Sequence, residues 1–148
     1  MSESHEGGEA IEGACRRLVL EFAAAVDAQA YERLAGLFAP DAVFGRPADP
    51  DRLLTGVANI VAAFESRPRE RLSVHLCTNI SITVESADAA RGSCRVLLFT
   101  STTAQPEIYG KGRKAAAGQL VGIYNDRFVR LSAGWRFAER RGRVLFHT

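Results

Sequence analysis

The chain is poor in the signals that mark secreted, membrane and nucleic-acid-binding proteins. Its three cysteines, Cys15, Cys77 and Cys94, are odd in number and widely spaced, which argues against a disulfide framework or a zinc site. No apolar run is long enough to cross a bilayer, and the polar stretch MSESHEGGEA lacks the apolar centre of a signal peptide. The formal net charge of +2 is too small to indicate binding to nucleic acid. We therefore expect a cytoplasmic protein without a nucleic-acid or membrane partner.

Motifs for cofactors, metals and hydrolytic nucleophiles are missing as well. The glycines at positions 110, 112 and 118 do not lie between a predicted strand and a predicted helix, as a phosphate-binding loop requires. No spacing of histidines or cysteines matches a metal site, and no G-x-S-x-G nucleophile turn is present. The sequence thus predicts neither a cofactor nor a bound metal.

The first half of the chain has the apolar periodicity of helices. With 148 residues, it is predicted to form one domain at residues 9–148 behind a flexible tail at residues 1–8. An apolar residue every three or four positions predicts a first helix that ends near Asp27. A short second helix is expected to carry Tyr31 and to run until Pro40.

The second half alternates apolar and polar residues, which is typical of strands. A short strand at Asp41–Arg46 and a turn at 47–51 are predicted first, followed by a third helix. The turn at Ser132–Gly134 joins the last two alternating runs into a hairpin. Long strands are predicted at roughly 71–85, 90–103, 117–131 and 134–146. This order predicts an α+β domain whose helices pack on one face of a curved, mostly antiparallel sheet.

Three stretches resemble one known family. They are VDAQAYERLAGLFAPDAVF, RLSVHLCTNISITV and YNDRFVRLSAGWRFAERR. Together with the residues between them, from about 10 to 146, they resemble the SnoaL-like branch of the nuclear transport factor 2-like superfamily. The resemblance implies a cone, in which the curved sheet wraps around three N-terminal helices and encloses a ligand pocket. The branch includes polyketide cyclases, dehydratases and isomerases, so the resemblance alone does not select one reaction.

His75 is the main candidate for proton transfer. It is the only histidine away from the ends of the chain, and an imidazole can both accept and donate a proton near neutral pH. On a regular strand it shares a face with Ser73 and Cys77, opposite Val74 and Leu76. The polar face could therefore line a wet cavity or face solvent, and a bulge would shift this pattern.

The resemblance adds Asp27 as a partner for His75. His75 falls where SnoaL-like dehydratases place a catalytic histidine, and Asp27 falls where scytalone dehydratase-like members place the aspartate beside it. A carboxylate at that point would orient the imidazole. Without the resemblance, the residues favour an ordinary turn aspartate at a helix end.

Other positions depart from the dehydratase pattern. Where the resemblance expects two pocket tyrosines the chain has Val26 and Arg46, and where it expects a second histidine it has Thr100. The expected serine and asparagine of the penultimate strand are Gly122 and Tyr124. A standard dehydration that uses a tyrosine-bound water is therefore not supported.

The chain departs even further from the ketosteroid isomerase pattern than from the dehydratase pattern. The tyrosine that would hold the oxyanion corresponds to Phe22, and the carboxylate base corresponds to Arg46. Neither side chain can perform those roles, and only Asp126 matches. We therefore do not expect a ketosteroid isomerase of the usual kind.

The expected function is that of a cofactor-free lyase, isomerase or cyclase that uses His75 and Asp27 on a small apolar, cyclic substrate in an apolar pocket. The residues predicted to contact the substrate are Phe22, Tyr31, Phe44, Arg46, Asn79, Tyr124 and Asp126. Two alternatives remain open from the sequence. One is a non-catalytic ligand-binding or assembly module of the same fold, and the other is a partner protein that resembles the beta subunit of a dioxygenase.

A homodimer is also expected. The stretch ARGSCRVLLFTST carries apolar residues on both faces of its predicted strand, with Val96 and Leu98 opposite Leu97 and Phe99. A sheet that is apolar on both faces needs a cover on each, and a second copy is the usual cover for the face without helices.

Overall fold

The computed structural model describes the backbone from Ser2 to Thr148 and the side chains from residue 7 onward. The helices and strands are α1 (Ser2–Asp27), α2 (Tyr31–Ala35), β1 (Phe38–Arg46), β2 (Asp49–Thr55), α3 (Val57–Glu65), β3 (Arg71–Val84), β4 (Ala89–Thr102), β5 (Leu120–Leu131) and β6 (Gly134–His147). The predicted tail lies mostly outside the described side chains, and its described end, Gly7 and Gly8, belongs to α1. The assignment of residues 9–148 to one domain stays a prediction. None of the described helices combines the length and apolar character needed to cross a membrane.

The six strands form one curved, unclosed sheet in the order β2-β1-β6-β5-β4-β3. All neighbouring strands are antiparallel except β1 and β6, which are parallel. The predicted α+β class is therefore confirmed, as is the closing hairpin, because β5 ends at Leu131 and β6 begins at Gly134. Gly134 has a φ of +117°, a conformation that glycine adopts at little cost.

A cluster of aromatic rings fills the space between the helices and the sheet. Phe22 of α1 is 2% exposed, and its ring centre lies about 6 Å from each of five other rings. Those rings belong to Phe38, Phe44, Phe64, Tyr124 and Phe137. The core thus joins α1 and α3 to β1, β5 and β6, and fixes the helices on one face of the sheet.

Two local predictions were wrong. The turn expected at 47–51 is largely strand, because β2 begins at Asp49 and pairs with β1. Pro50 is tolerated there since β2 is an edge strand, where a missing backbone N–H costs no sheet hydrogen bond. The second helix is also shorter than expected. It ends at Ala35, and Phe38 already belongs to β1.

A bulge in β3 resolves the question of which face points inward. The pairing of β3 with β4 shifts between Thr78 and Ser81, and Asn79 has a φ of +52°. Before the bulge, His75 faces the helices, whereas Val74 and Leu76 are 52% and 51% exposed. After it, the parity is reversed and apolar side chains point inward. The polar face of the first half of β3 therefore lies inside the fold.

Candidate active site

Asp27 and His75 form a hydrogen-bonded pair where α1 meets β3. Asp27 Oδ1 lies 2.5 Å from His75 Nδ1, and Asp27 Oδ2 accepts a hydrogen bond of 2.9 Å from the backbone N–H of His75. The hydroxyl of Ser73 donates a third hydrogen bond of 2.9 Å to Oδ1. Because both carboxylate oxygens accept from β3, the acid is fixed relative to the strand that carries the imidazole.

The chain that follows Asp27 strengthens this attachment. Gln29 has a φ of +53° and ends the helical path of the backbone. Its side-chain amide donates to the carbonyl oxygens of Arg69 and Arg71, at 3.1 and 3.0 Å. The end of α1 is therefore tied to the beginning of β3 by side-chain contacts on both sides of the pair.

The pairing determines which nitrogen of His75 remains for chemistry. A carboxylate accepts hydrogen bonds, so the short contact requires the proton on Nδ1. In the neutral imidazole, Nε2 then carries a lone pair that can take a proton from a ligand. The side chains of His75 and Asp27 are 11% and 23% exposed, so the pair is shielded from bulk water and still accessible.

His75 lines a cavity of about 200 Å³. Its lining combines apolar side chains with three arginines. The lining residues are Arg46, Pro47, Ala48, Arg67, Arg71, His75, Val96, Leu98, Leu120 and Tyr124. This arrangement can hold a small, partly apolar molecule next to the free nitrogen of the imidazole.

A second pair of opposite charges lies deeper in the core. The side chains of Arg140 and Asp126 are 0% and 1% exposed, and Arg140 Nε lies 3.7 Å from Asp126 Oδ1. The guanidinium carbon lies 3.9 Å from the ring centre of Tyr124 and 4.5 Å from that of Phe22. Burial raises the pKa of Asp126 to about 6, although the charge of Arg140 opposes this shift.

Sequence reasoning missed the inward position of Arg140. Strict alternation from Phe137 would turn it to the outer face. The register of β6 against β5 shifts between Arg127 and Phe128, which turns Arg140 towards the core beside Asp126. Nothing in the amino-acid pattern marks this shift, because a bulge depends on how two strands pair.

Two thiols connect Arg140 to the strand of the Asp27–His75 pair. Arg140 Nη2 lies 3.5 Å from Cys94 Sγ. A hydrogen bond from Cys94 lowers the pKa of Cys77 to about 7, and the charge of Arg140 acts in the same direction against burial. The same contact and burial raise the pKa of Cys94. A polar path therefore runs below the cavity from Asp126 to Cys77.

The structure brings some of the predicted site residues together and separates others. Arg46 and Tyr124 line the cavity with His75, and Tyr31 lines a smaller hollow that shares Arg67 and Arg71 with it. The remaining four, Phe22, Phe44, Asn79 and Asp126, do not line this cavity.

The four residues lie elsewhere for different reasons. Phe22, Phe44 and Asp126 are buried in the core, with exposed fractions of 1 to 3%. Asn79 is exposed at the bulge of β3, which displaces it from the face of His75. Their role in binding a substrate stays a prediction. Arg67 and Arg71 were not predicted, because nothing in the stretch RPRER distinguishes a cavity arginine from a solvated one.

A curved, unclosed sheet covered by N-terminal helices, with a cavity between them, defines the class of nuclear transport factor 2-like folds. The model of the SnoaL-like domain family matches residues 10–141, so the chain belongs to the SnoaL-like family. No curated protein is similar enough in sequence to count as a relative.

Solved structures agree with this fold. A protein from Novosphingobium aromaticivorans, provisionally described as a scytalone dehydratase, is 24% identical with a TM-score of 0.76, over 100% of this chain and 91% of its own. LinA is 21% identical with a TM-score of 0.79, over 100% of this chain and 93% of its own. A protein of unknown function from Mycobacterium tuberculosis is 23% identical with a TM-score of 0.73, over 93% of this chain and 76% of its own. At these identities the likeness concerns the fold.

Proposed function

We propose that the protein is a lyase-, isomerase- or cyclase-type enzyme in which His75 removes or returns a proton on a small cyclic substrate. The observation that carries the proposal is the Asp27–His75 pair, which is attached to both strand and helix and borders a cavity. Proton transfer of this kind requires a positioned base and a site that excludes bulk water, and needs no cofactor.

The geometry supports distinct roles for the two residues. Asp27 accepts from Nδ1, which presents the lone pair of Nε2 to the cavity and stabilises the imidazolium that forms when the proton is taken. Ser73 and the backbone of His75 orient Asp27. Arg46 and Tyr124 are the remaining predicted contacts in the cavity, where a cation and a phenol can bind an oxygen of the substrate.

The names of similar structures support a lyase. One similar structure is described as a scytalone dehydratase and others as hexachlorocyclohexane dehydrochlorinases, and such names denote elimination of water or of hydrogen chloride. Elimination begins by removing a proton from carbon, which is the step proposed for His75. Since the tyrosines of the dehydratase pattern are Val26 and Arg46 here, the leaving group would be assisted differently.

Deuterium exchange tests the proposal without knowledge of the natural substrate. A panel of small cyclic ketones and β-hydroxy ketones is incubated with the protein in D2O, and NMR follows deuterium uptake next to the carbonyl or loss of water. We expect catalysed uptake that falls by about 10²–10⁴-fold in His75→Ala. The exposed His147 provides the matched control, His147→Ala, which should retain the activity. Equal rates in wild type and His75→Ala would overturn the proposal.

A non-catalytic binding module is the second candidate. The core below the cavity is filled by aromatic rings, and the remaining space of about 200 Å³ is small. A module of this kind would bind ligands in the same cavity without transforming them. Ligand binding that is unchanged in the Asp27→Asn/His75→Ala double variant, together with absence of catalysed exchange in the wild type, would favour it.

The proposal includes a homodimer formed through the outer face of the sheet. Val74 and Leu76 of β3 are half exposed there and pair with Phe99 and Leu97 of β4. Phe146 of β6 is 73% exposed. Burial of such a surface favours association. Sedimentation should give a dimer that dissociates in Leu76→Lys, whereas Leu53→Lys, at an exposed leucine of the other edge strand, should remain dimeric.

A further inference from the structure

Three arginines converge on the cavity that contains His75. Arg46 is the last residue of β1, Arg67 follows α3, and Arg71 is the first residue of β3. All three line the cavity, and Arg67 and Arg71 also line the smaller hollow beside Tyr31. Three separate segments therefore contribute an arginine each to the wall of one cavity of about 200 Å³.

These guanidinium groups have no acidic partner among the described residues. None of the three takes part in the ion pairs found there, and the lining of the cavity contains no aspartate or glutamate. Arg46 donates to the carbonyl of Ala63 at 3.3 Å, and Arg67 lies 4.4 Å above the ring of Phe64. Both contacts orient the side chains, and neither partner carries a charge.

A wider polar hollow on the sheet holds arginines in a different arrangement. That hollow, of about 440 Å³, also contains Arg127 and Arg141. Both arginines lie near Glu139, at 3.8 and 3.6 Å. Acidic side chains thus accompany the arginines of that hollow, whereas the lining of the His75 cavity contains none.

The charges of the neighbouring arginines act on Arg67. Burial lowers the pKa of Arg67, and the charges of Arg71 and Arg46 lower it further. The groups that act in the opposite direction are the phenols of Tyr124 and Tyr31. An anion between the guanidinium groups would remove this repulsion, which makes the site favourable for a negatively charged ligand.

We propose that the His75 cavity selects a substrate with a carboxylate, which Arg67 and Arg46 bind at the opening while the apolar body of the molecule packs against Val96, Leu98 and Leu120. This proposal deepens the proposed function and rests on it, because the bound carboxylate is a substrate only if His75 transfers a proton. Guanidinium groups bind carboxylates through paired hydrogen bonds, and the apolar residues of the lining can contact the remainder of such a molecule. Because this contact is the same before and during proton transfer, its loss should raise KM more than it lowers kcat.

A matched pair of probes tests the selectivity directly. Benzoate and benzamide have nearly the same shape and differ in charge, and their affinities are measured by isothermal titration calorimetry at constant ionic strength. We expect the wild type to bind benzoate at least about tenfold more tightly than benzamide. Arg67→Gln and Arg46→Gln should lose most of that preference. Arg69→Gln, at an exposed arginine two residues from Arg67 that does not line the cavity, is the control and should keep it.

The outcomes separate this proposal from the proposed catalytic function. His75→Ala should abolish deuterium exchange while the preference for benzoate persists, so a catalytically inactive protein would still report on the arginines. Equal affinities for benzoate and benzamide in the wild type would overturn the carboxylate proposal. A preference that Arg69→Gln reduces as much as Arg67→Gln would also overturn it, since the effect would then come from net charge alone.

Discussion

Two pairs of an acid and a base lie in the same fold, and they differ in almost every physical respect. Asp27 and His75 are partly exposed, and Asp27 accepts three hydrogen bonds. Asp126 and Arg140 are fully buried, and both carboxylate oxygens of Asp126 lack a hydrogen-bond partner within the described structure. The first pair is well satisfied and accessible, and the second is neither.

The difference indicates two different contributions to the molecule. A satisfied pair beside a cavity can exchange a proton with a ligand without disturbing the core. A buried pair with unsatisfied atoms is sensitive to any change in charge, because each partner left alone would be an uncompensated ion in an apolar environment. Arg140 is also enclosed by aromatic rings, which favours its charged form and restricts its movement.

The largest expected effect is on activity, from Asp27→Asn. The amide is uncharged and has one acceptor oxygen where the carboxylate has two, and both oxygens of Asp27 accept from β3, so His75 loses its preferred tautomer and its stabilising charge. Turnover should fall by about 10²–10⁴-fold, and the free energy of unfolding should fall by about 1–3 kcal/mol, because at least one donor that faces Asp27 loses its acceptor. Steady-state kinetics and urea denaturation check both parts. A variant that unfolds more easily yet keeps its turnover would show that the pair is structural.

For the buried pair of Asp126 and Arg140, the main expected effect is on stability. Arg140→Met leaves the Asp126 carboxylate unpaired in the core and should lower the free energy of unfolding by about 3–5 kcal/mol at pH 8. The double variant Asp126→Leu/Arg140→Met removes both charges and should regain most of that loss. Denaturation of Asp126→Leu, Arg140→Met and the double variant gives the coupling energy between the two residues. Additive effects of the two substitutions would contradict the coupling.

The pH dependence of stability sharpens the comparison further. Burial raises the pKa of Asp126 from 3.8 to about 6, so the folded protein keeps a proton that the unfolded chain loses between these values. The free energy of unfolding relative to Asp126→Asn should therefore fall as the pH rises from 4 to 6, by about 2 kcal/mol. Denaturation series at both ends of this range measure the change. A rise with pH would mean that the attraction to Arg140 outweighs burial.

The smallest expected effect comes from Ser73→Ala. Its hydroxyl is one of three donors to Asp27, so its loss should lower the free energy of unfolding by about 0.5–1.5 kcal/mol and reduce turnover only a few-fold. Ser81→Ala, at an exposed serine beyond the bulge of the same strand, should change neither. A loss of activity as large as that of Asp27→Asn would assign Ser73 a direct part in the chemistry.

The fold was predictable because its main signals are local. Apolar periodicity marks α1, and alternation marks β3 to β6 and their hairpin turns. The strand β2 was missed because DPDRLLT neither alternates nor avoids proline, and it is a strand only through its pairing with β1. The short α2 was predicted too long because Leu37 and Phe38 continue a helical pattern that the sheet overrides.

The site was predictable in part. The contact between His75 and Asp27 follows from the family resemblance, but its hydrogen-bond geometry depends on how α1 packs on β3. Asn79 is exposed and Arg140 is buried because of bulges in β3 and β6. The residue types at these positions do not predict the bulges. The three arginines of the cavity come together only after the strands and α3 are assembled.

The central claim is that Asp27 fixes His75 with a proton on Nδ1 and a free lone pair on Nε2. Nitrogen-15 NMR of the imidazole ring in its neutral form measures this directly, and the chain has only three histidines to distinguish. The account predicts that Nδ1 of His75 is protonated in the wild type and that Asp27→Asn moves the proton largely to Nε2. A His75 ring with its proton on Nε2 in the wild type, or one that does not respond to Asp27→Asn, would contradict it.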